Sequence, residues 1–115
     1  LGLVPDPREL LQASDIFLLA TVGEAFGLVL AESMACGGPV VGGRAGAIPE
    51  VVLDGETGLL VNPRDAASMA DGIQRLAENR ALHRCMSQKS IARVRDNFTL
   101  DKAVDETLAV YEALR

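Results

Sequence analysis

The order of apolar segments in this chain predicts an α/β protein: a partial doubly wound, Rossmann-like parallel sheet of about three strands with flanking helices. Two observations predict it. Short runs rich in Val, Leu and Ile alternate with helical segments, and parallel neighbours need such crossover connections. The runs are also continuous rather than alternating in polarity, as strands covered on both faces are. Three strands make half a doubly wound fold better than a whole one.

The elements follow in order. Residues 7–13 read as a short helix opening on Pro-Arg-Glu. Residues 15–21, DIFLLAT, form the first apolar run, a strand expected to be covered on both faces. Residues 27–35 hold the helix formers Leu28, Leu30, Ala31, Met34 and Ala35, and Gly37-Gly38 stops them. Residues 39–43, PVVGG, are the second strand, 48–53 a short helical turn around Pro49, and 54–58, DGETG, a turn. Residues 58–61, GLLV, are the third strand.

Beyond it the rhythm becomes helical. Ala66, Met69, Ala70, Ile73, Leu76 and Ala77 recur at helical spacing behind Asp65, a natural N-cap. Residues 80–97 form a second helix with a weaker stripe. A third follows Thr99, its expected N-cap, with Leu100, Val104, Leu108, Tyr111 and Leu114 along one face.

The 115 residues fit one small domain. Hydrophobic residues make up 49% of the chain but aromatics only 3%, so the core is aliphatic. The net charge of −5, with scattered basic residues, argues against nucleic acid as the partner. Cys36 and Cys85 have no metal-ligand spacing and read as buried free thiols, which makes a reducing, cytoplasmic setting the default. His83 stands among polar helical residues and is expected to be solvated. No apolar stretch approaches the roughly 20 residues of a membrane span. The chain starts at Leu1 rather than Met, as a piece of something longer or a processed chain does.

The stretch 24–32, EAFGLVLAE, carries the chemistry. Ligands of open α/β sheets bind at the carboxyl ends of strands, near helix N-termini, and this stretch lies there. Gly23 and Gly27 let the backbone turn tightly and approach a ligand. The N–H groups of Phe26, Gly27 and Leu28 would then face outward at the positive end of the helix dipole, a seat for phosphate. Glu24 precedes that seat. Glu32 lies about one and a half turns into the helix, roughly 7 Å along its axis. A ligand with phosphate between two hydroxylated rings would meet a carboxylate at each end, and a carboxylate accepts two hydrogen bonds from a vicinal diol. The plainer alternative is a dipole-favoured Glu24 and a solvated Glu32. Spacing alone leaves both open.

The run EAFGLVLAESMACGGPVVGGRAGAIPEVVLDGETGLLVNPRD resembles the signature region of the family 4 (group 1) retaining glycosyltransferases of GT-B fold. Two glutamates with seven residues between them, Ala-Cys-Gly-x-Pro-Val-Val, Pro-Glu and Asp-Gly-x-x-Gly-x-Leu-Val occur in the family's order, and the likeness spans nearly the whole chain. The resemblance implies a single partial domain over residues 1–115, the later half of a C-terminal domain that binds a nucleotide-diphosphate sugar. It implies that Glu24 is catalytic, holding the donor sugar's hydroxyls and orienting the anomeric carbon. Gly23, Ala25, Phe26, Gly27 and Leu28 would surround the donor, with amides of Phe26, Gly27 and Leu28 on sugar and diphosphate. Glu32 would accept both ribose hydroxyls. Neither a metal nor a further cofactor is required.

Departures from the family pattern fall close to the ligand. Ala47 replaces a glycine before Ile-Pro-Glu, Gly43-Arg44 stands where a Ser/Thr-Asp-like pair is usual, and Ala20-Thr21 where Pro-Ser is usual. By the resemblance, the family's diphosphate-binding Arg and Lys and its acceptor-binding N-terminal domain are expected to lie outside these 115 residues. Arg44, Arg64 and Lys89 read as solvated charges rather than replacements. In the family the first strand lies mid-sheet and the last helix crosses to the N-terminal domain, so the isolated chain is expected to form a homo-oligomer. Two other readings compete: a non-catalytic Rossmann-like binding or interaction module, and a dinucleotide-dependent oxidoreductase suggested by GGRAG after a strand. The latter lacks the full Gly-x-Gly-x-x-Gly spacing.

Overall fold

The three apolar runs pair side by side. In the computed structural model, which describes residues 2–114, the chain order is α1 (Arg8–Ala13), β1 (Phe17–Leu19), α2 (Leu28–Ala35), β2 (Val40–Gly43), α3 (Ile48–Val51), β3 (Gly58–Val61), α4 (Ala66–Glu78), α5 (Arg80–Asn97) and α6 (Leu100–Ala113). The strands lie in the order β1-β2-β3, all parallel, with Phe17 opposite Val40 and Val40 opposite Gly58. This is the expected three-stranded α/β arrangement.

Alternate residues of the strands feed two apolar layers. Val40 joins Leu30, Met34, Ile48 and Val51 on one face, with Phe17, Leu19 and Leu60 at its margin. Val41, Leu59 and Val61 meet Leu76 and Met86 on the other. The central strand β2 is wholly buried, as its unbroken apolar run requires. The first strand is not. It is three residues long, and Leu18 is 42% exposed, so the expectation of cover on both faces fails there. The cause is topological: among the described residues β1 ends the sheet and pairs on one side only.

Helix signals behave as their chemistry dictates. Asp65, Asn79 and Thr99 each cap the following helix by accepting a backbone N–H. At the end of α2, Gly37 adopts φ +82, its amide bonds the Met34 carbonyl, and the Gly38 amide bonds that of Ser33. These paired bonds form a Schellman stop. The short helix at Pro49 ends at Val51, two residues before the expected boundary.

Helix α5 explains its own weak apolar stripe. It lies along the N-terminal ends of all three strands, bonding a carbonyl just ahead of each. His83 Nε2 is 2.7 Å from the Asp15 carbonyl, Ser87 Oγ donates to that of Gly37 at 2.7 Å, and Ser90 Oγ to that of Thr57 at 2.8 Å. His83 is therefore a half-buried tie, not the solvated side chain expected. Spacings of four and three residues set these groups on one helix face. Cys85 points away from that face and is exposed, and Cys36 just past α2 is half-buried, so neither is the buried thiol expected.

Candidate functional site

With α5 closing the N-terminal ends of the strands, the other end of the sheet carries the loop of residues 21–27. It leaves β1 and enters α2 at Gly27, whose φ of +83 turns the chain into the helix. Gly23 keeps a φ open to any residue, and among the described residues a Cβ there would meet nothing within 4 Å, so the tight turn is made at Gly27.

Glu24 is half-buried at the N-terminus of α2. Its Oε1 accepts the Gly27 N–H at 3.2 Å, and Thr21 Oγ1 donates to Oε2 across a long 3.4 Å. The carboxylate thus sits where the helix dipole favours negative charge. The Gly27 amide is consequently engaged rather than free. Among the described residues the Phe26 and Leu28 amides have no acceptor within the chain. Ala25 and Leu28 are exposed beside them. Glu32 is exposed one turn beyond Leu28, on the same face of α2, while Leu30, Ala31 and Met34 face the core. A half-buried carboxylate, two open amides and a second carboxylate one turn on can together hold phosphate and hydroxyl groups.

A second loop closes on the first. The Ala47 amide donates to the Glu24 carbonyl at 3.1 Å. Gly46 (φ +57) passes so near that a Cβ would stand 2.5 Å from that carbonyl oxygen. Ala47 itself has φ −85, which explains why a glycine is not needed there. The glycine run ahead of it opens only the four-residue α3, too short to serve as a dinucleotide-binding helix.

Arg44 is not a free cation. Its Nη2 lies 2.7 Å from Asp54 Oδ2, and Asp54 Oδ1 accepts the Leu60 amide at 2.9 Å. Burial raises the Asp54 carboxyl, but the bonds from Leu60 and Arg44 outweigh it and hold the group below its ordinary value. Arg64 and Lys89 are exposed.

Sequence reasoning missed the braces behind this loop. The ring of Phe26 meets that of Phe98 edge to face, centroids 5.7 Å apart, and the Arg93 guanidinium lies 5.2 Å from the Phe98 centroid. Phe98 stands 72 positions further along the chain, and no local pattern announces the pairing. A separate groove of about 580 Å³, lined in part by Asp15, Leu76, Arg80 and His83, lies at the α5 end of the sheet. It shares no residue with the candidate site. Among the described residues no group of three or more His, Cys, Asp or Glu side chains is placed to hold a metal ion.

Comparison with known proteins identifies the family and the fold. The sequence profile of the family described as Glycosyl transferases group 1 matches residues 1–79. The chain belongs to this family. It is 40% identical over 111 residues to the N-acetyl-alpha-D-glucosaminyl L-malate synthase of Bacillus anthracis, covering 96% of this chain and 29% of that protein. Among solved structures it is similar to Anabaena Alr3699/HepE in complex with UDP-glucose, with TM-score 0.87, 30% identity, and coverage of 96% of this chain and 31% of that one. It also matches the C-terminal domain of a group 1 glycosyl transferase (LpcC) from Francisella tularensis, with TM-score 0.77, 31% identity, and coverage of 87% of this chain and 53% of that one. The chain spans under a third of the length of the curated relatives it matches.

Proposed function

We propose that this chain is the donor-binding part of a retaining glycosyltransferase that moves a sugar from a nucleotide-diphosphate sugar to an acceptor hydroxyl. The observation that carries this reading is the start of α2, where Glu24 stands beside the open amides of Phe26 and Leu28, with exposed Glu32 one turn beyond Leu28. Glu24 orients the donor sugar at its anomeric carbon. The amides and the α2 dipole take up charge on the departing diphosphate, which is largest as the bond to the sugar breaks. Glu32 accepts the ribose hydroxyls. The acceptor attacks from the face the diphosphate leaves, and the chemistry requires no metal.

Residues 1–115 act as one partial domain, the later half of the donor-binding domain, in a cytoplasmic enzyme. Among the described residues no helix is long and apolar enough to cross a membrane. Titrating the intact enzyme with a panel of nucleotide sugars, with product formation followed in parallel, tests the proposal. Saturable binding of one nucleotide sugar and transfer from it are expected. Binding without transfer to any hydroxyl acceptor would favour a non-catalytic module, and no binding at all would remove the donor-site assignment.

A further inference from the structure

A closed circuit of contacts surrounds the loop that carries Glu24. From the Glu24 carbonyl it runs through the Ala47 amide at 3.1 Å into α3. At the far end of α3, Arg93 Nε donates to the Val51 carbonyl at 2.7 Å and Arg93 Nη2 to that of Glu50 at 2.6 Å. The same guanidinium lies against Phe98, and Phe98 meets Phe26, two residues past Glu24. Each link has a physical reason. The last carbonyls of a helix lack partners within it, and an arginine fork satisfies two of them with charge. A cation over a ring and an edge-to-face ring pair both follow from the aromatic quadrupole.

The loop has little else to hold it. Val22, Gly23, Ala25 and Phe26 are exposed, and among the described residues the Glu24 carboxylate is held only by the Gly27 amide and the long Thr21 contact. We infer that Arg93 and Phe98 are positioning residues, which fix residues 24–28 in the geometry a donor meets. The last part of that statement rests on the donor-binding reading above. Both residues lie far from Glu24 in sequence, at the end of α5 where α6 begins. The order of the donor loop is therefore set at the α5–α6 junction.

The test separates loop order from donor binding. In the intact enzyme, Phe98→Ala should speed amide hydrogen exchange at Gly27 and Ala47 about three- to tenfold, the range an aromatic pair supplies. Phe98→Tyr, which keeps the ring, should restore protection, and Arg93→Met should repeat the loss. Ile73→Ala, in the apolar layer on the opposite face, serves as a control of reduced global stability and should speed exchange in β2 while leaving the locally opening Gly27 amide unchanged. In the intact enzyme, Phe98→Ala should weaken UDP-glucose binding by a similar factor, with Phe98→Tyr near the parent.

Unchanged exchange at Gly27, or acceleration spread evenly over β2 and β3, overturns the inference, because Phe98 would then be ordinary core. Loop-specific acceleration in a protein that binds no nucleotide sugar sustains the positioning role and sinks the donor-site assignment instead.

Discussion

Glu24 and Glu32 differ in environment although seven residues separate two chemically equal groups. Glu24 is half-buried and tied to the Gly27 amide, whereas Glu32 is exposed on α2. Their substitutions should part accordingly. On the proposed reading Glu24 acts at the reacting sugar, so in the intact enzyme Glu24→Gln is expected to lower turnover more than nucleotide affinity. Glu32→Gln is expected to weaken nucleotide binding by about 1.5–3 kcal/mol, the range for a hydrogen bond to a charged group, with turnover nearly kept. Steady-state kinetics with calorimetric nucleotide titration read both, and small equal effects would return the pair to solvated bystanders. At the same scale, Asp54 predicts an acid response. Its carboxyl sits below the ordinary value of 3.8 in the folded chain, so the folded state binds fewer protons there than the unfolded one. That contribution is fully present above the ordinary value and is lost as pH falls through the lowered one. Arg44→Met should move the Asp54 titration, followed by NMR at its carboxyl and at the Leu60 amide, back toward 3.8.

Among the elements, α5 gives the sheet a floor. Its inward face is built of His83, Ser87 and Ser90, with Met86 among them, and therefore scores poorly as an apolar stripe. Ser90 is completely buried, and its hydroxyl gives the Thr57 carbonyl a partner just ahead of β3. Ser90→Ala removes that donor from a site closed to water. A loss of about 1–3 kcal/mol is expected, the desolvation cost of a buried polar group left unpaired. Urea unfolding measures it, and a change within about 0.5 kcal/mol, as for ordinary surface substitutions, would mean that the carbonyl has another partner.

At the scale of the whole chain, two surfaces stand uncovered among the described residues. Helix α6 has no buried residue, and Leu100, Val104, Leu108, Tyr111 and Leu114 are exposed along it. The open side of β1 presents unpaired backbone groups next to exposed Leu18. Both features favour association, by strand pairing at the edge or by exchange of terminal helices. The isolated 115-residue chain is therefore expected to self-associate at micromolar concentration in sedimentation experiments. A monomer there would show that neither surface suffices. The same chain is expected to transfer no sugar by itself. Arg44 is committed to Asp54, so the α2 terminus would face a diphosphate largely alone. Product formed by the purified chain in a transfer assay would refute this.

Fold class, strand order along the chain, the caps at Asp65 and Thr99 and the Gly37 stop were legible in the sequence because each rests on neighbours a few residues apart. An apolar run, an Asp or Thr before a helix, and a glycine after one carry their meaning locally. The family, too, was legible from the spacing of its motifs. Exposure of Leu18 was not, since it depends on which strand ends the sheet. Neither was the role of His83, whose partner Asp15 lies 68 positions away. The site divides the same way. Sequence located Glu24, Gly27 and Glu32 at a strand-to-helix turn. Only the tertiary structure decided that the Gly27 amide is taken by Glu24, that Arg44 belongs to Asp54, and that Phe98 and Arg93 stand behind Phe26. Those pairings join segments that meet only once the sheet and α5 are in place, and no local pattern encodes the partner of a side chain across such a distance.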